Sequence, residues 1–399
     1  MTGGVPSAGS ANRLSPMRFV VAFGVVSLLA DFVYEGSRSI VGPFLATLGA
    51  SAGLVGLITG AGEAVALVSR LWTGRVSDRT GRHWTLSIAG YVITVVSVPL
   101  LAVTWALWPA AVLIVAERFG KAVRTPARDT MLAQASGKMG RGRAFALHEA
   151  LDQSGALVGP LVVAAAVALS GFRLAFAVLA VPGVAALVAL ARLRRAVPVP
   201  AEYEAREVVD RGHDDGARLP ARFWWYAGFT ALNMAGYATF AVLAYHLQVR
   251  NVVSEATIPV IYAVAMGMAA LAALGSGWVY DRVGLRGLVV IPVLTAAVPF
   301  LSFSTQPALV WIGAALWGAA VGVHESTMRA AVADLVPVAR RGAGYGTFTA
   351  IYGLAWLVGS TAIGVLYGHS IMSATAFIVG VQFLALVAFV PVARRTVSS

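Results

Sequence analysis

The segments GRVSDRTGRH, residues 74–83, and GWVYDRVGLR, residues 277–286, share the pattern G-x-x-x-D-R-x-G-x-[R/H]. Each segment lies between two long apolar runs, and the second copy begins 203 residues after the first, 277 minus 74. A polar motif that repeats between apolar runs predicts a duplicated membrane protein, in which each half contains one copy.

A second repeat supports the duplication. The segment RGRAFALHEALDQSGALVGP, residues 141–160, aligns without gaps to RGAGYGTFTAIYGLAWLVGS, residues 341–360, at an offset of 200. Because the two offsets are similar, the halves are predicted to run parallel, related by an axis along the membrane normal.

The composition indicates the membrane class. Of 399 residues, 58% are hydrophobic and 12% charged, and the mean hydropathy is +0.78. The first apolar run begins near Phe19 and is not followed by a small-residue cleavage site, so we interpret it as a retained span and not as a signal peptide. The absence of cysteine excludes disulfides and thiolate metal sites.

A membrane-spanning helix needs roughly 20 apolar residues. Charges and Pro or Gly signals divide the chain into twelve such segments, at residues 18–45, 52–73, 84–107, 109–131, 143–169, 172–191, 223–248, 256–279, 287–304, 307–335, 343–367 and 371–392. The predicted fold class is an all-α membrane protein with 12 transmembrane helices in two pseudo-symmetric six-helix bundles. The bundles are residues 1–192 and 223–399, and the Pro-containing, mixed-charge segment 193–222 is predicted to be a cytoplasmic linker.

The formal net charge of +12 raises the question of a nucleic-acid partner. Predicted loops on the side of the N-terminus carry 21 Lys or Arg residues, against 2 on the other side. This positive-inside distribution predicts a multi-pass protein of the cell (inner) membrane with both termini in the cytoplasm. Because it explains the basicity through the lipid bilayer, we expect no nucleic acid as a partner.

The chain resembles bacterial transporters of the major facilitator superfamily over nearly its full length. The segment at residues 74–83 is similar to the family signature G-x-x-x-D-[R/K]-x-G-[R/K]-[R/K], except that His83 replaces the last basic residue. Gly155-x-x-x-Gly159-Pro160 is similar to the family's antiporter motif, and Arg118 lies where the family often has an intramembrane arginine. The resemblance implies a drug or metabolite efflux protein that works as a monomer, with helices 1, 4, 7 and 10 around a central cavity.

Two groups of residues are candidates for gating. The first is the repeated motif, in which glycines would let helix ends approach and aspartates would accept bonds from a neighbouring helix N-terminus; it comprises Gly74, Asp78, Arg79, Gly81, Arg82, Asp281 and Arg282. The second comprises Arg128, Asp129, Glu149 and Asp152, expected near the cytoplasmic mouth of helices 4 and 5, together with Gly155, Gly159 and Pro160, where helix 5 could pack tightly and bend. Simple topology, small-residue packing and static salt bridges are the alternative interpretations.

Charged residues within the apolar segments are the strongest functional candidates, since each costs at least roughly 2.5 to 3.5 kcal/mol at the bilayer centre. Asp31, Glu35 and Arg38 share one helix face, and a second stripe contains Glu117, Lys121, Arg124 and Arg128. The proton-coupling candidates are Asp31, Glu35, Glu63, Glu117 and Arg118. The substrate-binding candidates are Arg38, Lys121, Asn233, Tyr237, His324, Glu325 and Trp356. Buried pairs that only fix helix register are the alternative.

We therefore expect a secondary transporter that exports a small molecule in exchange for protons by alternating access. Proton-coupled uptake of a small organic anion stays open, because the fourth helix has an excess of cations. A non-transporting sensor or assembly factor is the third hypothesis. No nucleotide-binding motif, nucleophile pairing or metal-ligand spacing is visible, so we expect neither an enzyme nor a cofactor or metal.

Overall fold

The computed structural model describes residues 14–136, 141–203, 219–337 and 340–393, apart from the side chains of residues 141, 142, 329 and 330. Within these ranges the chain forms α-helices and short 3-10 turns, without strands. The helices are α1 Pro16–Thr47, α2 Ala52–Thr80, α3 His83–Leu100, α4 Leu107–Ala135, α5 Arg141–Val178, α6 Ala180–Ala196, α7 Ala221–Ala235, α8 Phe240–Val249, α9 Thr257–Val283, α10 Val290–Ser302, α11 Pro307–Leu335, α12 Arg341–His369 and α13 Ile371–Ala393. Most of the predicted linker, residues 204–218, lies outside the described residues, as do the cationic loop residues Arg13, Lys138, Arg394 and Arg395.

Nine stretches of the described chain are long and apolar enough to cross a membrane, which confirms a multi-pass membrane protein. One stretch has 54 residues and would measure about 80 Å as a single helix, against a hydrocarbon core of about 30 Å. Ser170 and Gly171, which leave helical geometry, interrupt it inside α5. The helix α4, 29 residues long, carries too many charges to be counted among the nine. The predicted number of twelve spans stays a prediction.

The span predicted at residues 223–248 is present as the apolar stretch Ala221–Val249, but it consists of two helices, because α7 ends at Ala235 and α8 begins at Phe240. Breaking a helix in an apolar region leaves backbone groups without their usual partners. Here the indole Nε1 of Trp317 donates to the carbonyl oxygen of Ala238 at 2.9 Å, and the Tyr237 hydroxyl donates to the carbonyl of Trp317 at 2.8 Å. These bonds, from a residue about 80 positions away in sequence, stabilise the interruption.

The repeated motif ends a helix in both halves instead of forming the predicted loop. The helix α2 continues through Thr80 and α9 continues through Val283. Each is followed by a glycine with a positive φ, 62° at Gly81 and 60° at Gly284. Glycine is favoured there because a left-handed conformation costs it no side-chain clash. The pattern therefore positions two helix ends.

Glycines allow the closest helix contacts. A Cβ added at Gly155 would lie 2.2 Å from the carbonyl oxygen of Leu28, and one at Gly159 would lie 2.4 Å from that of Phe32, so α5 packs directly against the backbone of α1. The helix α5 continues through Pro160. This geometry fits the small-residue packing alternative for the motif, and its gating role stays a prediction.

The first six and the last seven helices meet along several seams, among them those of α2 with α12, α1 with α8 and α5 with α9. A Cβ at Gly56 of α2 would lie 2.1 Å from the carbonyl oxygen of Ser360 on α12, and a Cβ at Gly42 of α1 would lie 2.1 Å from that of Ala241 on α8. Both contacts lie towards the face opposite the one where α1 begins. The polar residues described next lie closer to the middle of the same helices.

Candidate functional site

Eight of the buried or half-buried charged side chains of α1, α2 and α4 are connected by ion pairs near the middle of these helices. We call them the ionic cluster: Asp31, Glu35, Arg38, Glu63, Glu117, Arg118, Lys121 and Arg124. Four are acidic and four are basic, so their formal charges cancel. Burial of this many charges in apolar helices is costly unless they are paired, and the structure pairs each of them.

Asp31 connects α1 to α4. Its Oδ1 lies 2.9 Å from Nη2 of Arg124, and its Oδ2 lies 3.8 Å from Nζ of Lys121. Arg124, which is fully buried, is the closer partner. Sequence reasoning placed Arg124 on the charged stripe of the fourth helix but did not select it as a site residue. Its spacing of seven residues from Glu117 was the signal available.

Glu63 is shared by two arginines from different helices. Its Oε1 lies 3.0 Å from Nη2 of Arg38 and 3.8 Å from Nη1 of Arg118. The Arg118 guanidinium also lies 3.5 Å from Glu117, through Nε, and these longer contacts are ionic contacts without hydrogen bonds. Arg38 completes the chain of pairs with Glu35 at 3.6 Å. One carboxylate that serves two cations can release either of them when it is neutralised.

Two tyrosines support the basic side chains through their ring faces. Nζ of Lys121 lies 3.5 Å from the ring centroid of Tyr34, and the Arg118 guanidinium carbon lies 4.3 Å from the same centroid. Arg124 lies over Tyr91 at 4.5 Å. Cation–π contacts gain strength in desolvated positions, so these rings add to the stability of the cluster. Neither tyrosine was predicted.

The ionic cluster contacts the second half of the chain at two points. The Tyr262 hydroxyl on α9 donates a hydrogen bond to the Glu35 carboxylate, and both residues are buried. The guanidinium carbon of Arg38 lies 5.9 Å from the ring centroid of Trp356 on α12. Sequence reasoning missed Tyr262, since it lies in an apolar run without charge or repeat.

The second half contributes rings instead of ion pairs. We call Tyr237, His324, Tyr352 and Trp356 the aromatic cluster. Their centroids are 5.4 Å apart for Tyr237 and His324, and 6.1 Å for His324 and Tyr352. They are 5.9 Å apart for Tyr352 and Trp356, and 6.0 Å for Trp356 and Tyr237. Each ring thus neighbours two others, and the four close into a cycle.

Two predicted substrate-binding residues, Asn233 and Glu325, are not members of this cycle. Asn233 is fully buried, and its side-chain amide donates to Gln382 of α13 at 2.9 Å while Gln382 donates back to the Asn233 carbonyl. This pairing favours a packing role. Glu325 is exposed beside His324 on α11, and no ion pair joins it to a side chain that the structure describes. Their roles in substrate binding stay predictions.

The predicted clasp in the repeated motif differs from the structure. Asp78 and Asp281 are exposed, as are Arg79, Arg82 and Arg282. The end of α2 is instead joined to α3 by a 2.8 Å hydrogen bond between Ser77 Oγ and His83 Nδ1. A Cβ on Gly74 would make an ordinary contact, 3.8 Å from Pro126, so the approach of α2 to α4 does not require a glycine there, and the gating role of the motif stays a prediction.

The residues predicted near the mouth of helices 4 and 5 pair within single helices or with α1. Nε of Arg128 lies 3.0 Å from Asp129, and its Nη1 donates to Ser27 of α1 at 3.4 Å. Glu149 accepts a hydrogen bond from Gln153 one turn further along α5. Asp152 is half-buried, and its Oδ1 has no hydrogen-bond partner in the described part of the chain. A gating role for this group stays a prediction.

Comparison of the whole sequence with family models identifies one match. The model described as Major Facilitator Superfamily matches residues 24–360 and 226–398. An uncharacterized protein of Mycobacterium tuberculosis is 50% identical over 379 residues, which cover 94% of this chain and 92% of the relative. An uncharacterized MFS-type transporter of Methanocaldococcus jannaschii is 22% identical over 360 residues, with 87% and 88% coverage.

Solved structures with the same fold are transporters. A mutant form of the nucleoside transporter NupG superposes with a TM-score of 0.76 at 15% identity, over 93% of this chain and 100% of that chain. A bacterial homologue of the human lysosomal transporter Spinster, inward-facing and unoccupied, gives a TM-score of 0.73 at 15% identity, with 99% and 100% coverage. At such identities the likeness concerns the fold alone.

Proposed function

The chain belongs to the Major Facilitator Superfamily, and from this premise we propose that it exports a small molecule through the cell membrane in exchange for protons. A membrane transporter is what the family and the related structures support directly. The finer proposal is a monomer with twelve spans, six per half, and both termini in the cytoplasm. It alternates between inward and outward access as the two halves rock about the central residues.

The observation that carries the proposal is the ionic cluster together with its bond from Tyr262. Glu35 belongs to the first half, whereas its hydrogen-bond donor belongs to the second. Rocking of the halves must lengthen this bond, because the two side chains are attached to different bodies. The carboxylate then loses a donor, and a proton is a suitable replacement.

Proton arrival also changes the arginine pairing. A protonated Glu35 no longer attracts Arg38, which is left with Glu63 alone. Glu63 is shared with Arg118, so a change at one carboxylate alters the cations on α1 and α4 together. This is the property a coupling network needs: a proton and a moving helix compete for the same partners.

Export is favoured over anion uptake by the charge balance. The uptake hypothesis depended on the excess of cations on the fourth helix. Lys121 and Arg124 both pair with Asp31, and Arg118 lies against Glu63 and Glu117. With these cations already paired, the cluster offers little free positive charge to an anionic cargo. The Gly155-x-x-x-Gly159-Pro160 motif, similar to that of antiporters, also supports exchange.

Proton release from the purified protein tests the proposal. A compound panel scored by thermal shift supplies a ligand, and its addition in weakly buffered solution should release protons. Glu35→Gln and Asp31→Asn should abolish the release while the protein stays folded. Glu255→Gln, at an exposed carboxylate before α9 that belongs to none of the candidate groups, is the matched control and should release protons as the wild type does. Persistent release in both cluster variants would overturn the assignment of the coupling site.

Flux in membrane vesicles then separates the hypotheses. In inside-out vesicles acidified inside, an exporter accumulates the ligand. A proton symporter would accumulate it in right-side-out vesicles acidified outside. No flux in either orientation, despite ligand binding, would identify the sensor or assembly factor.

A further inference from the structure

We infer that the transported molecule is a planar heteroaromatic compound with hydrogen-bond acceptors at its edge, bound by the aromatic cluster opposite Arg38. This inference rests on the proposed transport function and names the chemical class of its cargo. It is carried by three features: the arrangement of the rings in the second half, the polar atoms left without partners there, and the charge balance of the residues of the first half that face them.

The arrangement of the rings favours a flat ligand. Tyr237, His324, Tyr352 and Trp356 form a closed cycle with neighbouring centroids 5.4 to 6.1 Å apart. The four rings come from three segments: Tyr237 from the break between α7 and α8, His324 from α11, and Tyr352 and Trp356 from α12. Aromatic rings prefer offset-stacked or edge-to-face contacts at such separations, and a planar ligand ring on an accessible side of the cycle can make either kind. Tyr352 is half-buried and lies one turn from Trp356, so the cycle has an accessible side.

Unpaired polar atoms indicate what the flat ligand carries. Both ring nitrogens of His324 and Nε1 of Trp356 are buried without a hydrogen-bond partner in the described part of the chain. Trp317, directly behind Tyr237, has the same indole group but donates it to Ala238. Buried polar groups are normally satisfied, so the unsatisfied ones in the cycle are available for a ligand. An indole N–H donates only, which requires an acceptor atom on the ligand.

The charge balance indicates that the ligand needs no net charge. Arg38, the cation nearest to the cycle, is already paired with Glu35 and Glu63. A ligand acceptor can still face its guanidinium, which lies 5.9 Å from the Trp356 ring, without breaking those pairs. Exposed Glu325, beside His324, can accept a hydrogen bond from a ligand N–H. Heteroaromatic rings combine donors and acceptors of this kind at their edges.

A matched pair of neutral probes tests the inference on the full-length purified protein. 2-Quinolone and octahydro-2-quinolone share a cyclic amide and differ in planarity. Binding measured by titration calorimetry should give the planar probe a Kd about ten-fold lower. Equal affinity of the two probes, or no binding of either, would overturn the inference.

Two tryptophan variants test the assigned donor. Trp356→Phe keeps a ring and removes the unpaired N–H, so the Kd of 2-quinolone should rise about five- to ten-fold. Trp317→Phe makes the same chemical change at a paired N–H, and should leave the Kd of 2-quinolone unchanged once folding is verified by melting. Equal losses in both variants would contradict a ligand contact at Trp356. If Trp356→Phe does not fold, the comparison of the two probes on the wild-type protein still tests whether the site prefers a planar ligand.

The inference and the proposed function fail in different ways. If another compound class binds, releases protons and is transported while 2-quinolone does not bind, only the cargo class is wrong. If 2-quinolone binds but neither releases protons nor crosses the membrane in any gradient, the transport function is wrong and the aromatic cluster is a binding site of another kind.

Discussion

At the residue scale, the ion pairs within the ionic cluster differ in how much they contribute to the stability of the folded protein. Arg124 is fully buried and 2.9 Å from Asp31, whereas the Lys121 side chain is 20% exposed and 3.8 Å from the same carboxylate. Removing one partner of a buried pair leaves the other charged and desolvated, which costs far more than the pair itself contributes. Solvent and the Tyr34 ring reduce that penalty at Lys121.

We therefore predict unequal effects for two substitutions on the same helix. Arg124→Met should reduce the free energy of unfolding by roughly 3 to 5 kcal/mol. Lys121→Met should reduce it by about 1 kcal/mol. Thermal melting of the detergent-solubilised variants measures the difference. Adding Asp31→Asn to Arg124→Met should recover part of the loss, because the unpaired carboxylate is then neutral. Equal destabilisation by the two single variants would contradict the central position of Arg124.

At the scale of helices, the sequence predicts faces better than it predicts interruptions. The spacings of Asp31, Glu35 and Arg38 correctly placed them on one face, because helical periodicity is local information. The break between α7 and α8 was not predicted, since its residues carry no charge or proline and the bonds that stabilise it involve the distant Trp317. For the same reason Tyr262 was missed: its partner is 227 positions away in sequence.

Glycines that look alike in sequence also differ in their surroundings. A Cβ at Gly56 would overlap the backbone of α12, whereas one at Gly277 meets nothing within 4 Å. Gly56→Ala should therefore separate the seam between α2 and α12 and cost roughly 1 to 3 kcal/mol. Gly277→Ala should be neutral or stabilise by up to about 1 kcal/mol, since alanine favours helix. Melting temperatures compare the two, and a larger loss at Gly277 would contradict the packing described for the seam.

At the scale of the whole molecule, two bodies are joined near their centre by few polar contacts. The seams between α2 and α12 and between α1 and α8 are formed by small residues and backbone, which can slide or separate. The Tyr262–Glu35 hydrogen bond is different in kind, because it joins the halves at a group that can also bind a proton. The position of the halves and the charge on Glu35 are therefore linked, and each should bias the other.

Loss of that bond should shift the equilibrium between conformations. Tyr262→Phe removes one hydrogen bond to a charged group, worth about 1.5 to 3 kcal/mol, enough to change a population ratio more than ten-fold. Since the chain contains no cysteine, Thr80→Cys and Ala343→Cys place spin labels on exposed ends of α2 and α12 without background labelling. Pulsed electron-spin distances should shift in the Tyr262→Phe background.

Tyr226→Phe is the matched control, because its hydroxyl bonds to Met328 inside the second half, and it should leave the distances unchanged. An equal shift of the label distances in both backgrounds would show that loss of any buried hydroxyl changes the conformation through general stability. Unchanged distances in Tyr262→Phe would contradict the proposed link between the charge on Glu35 and the rocking of the halves.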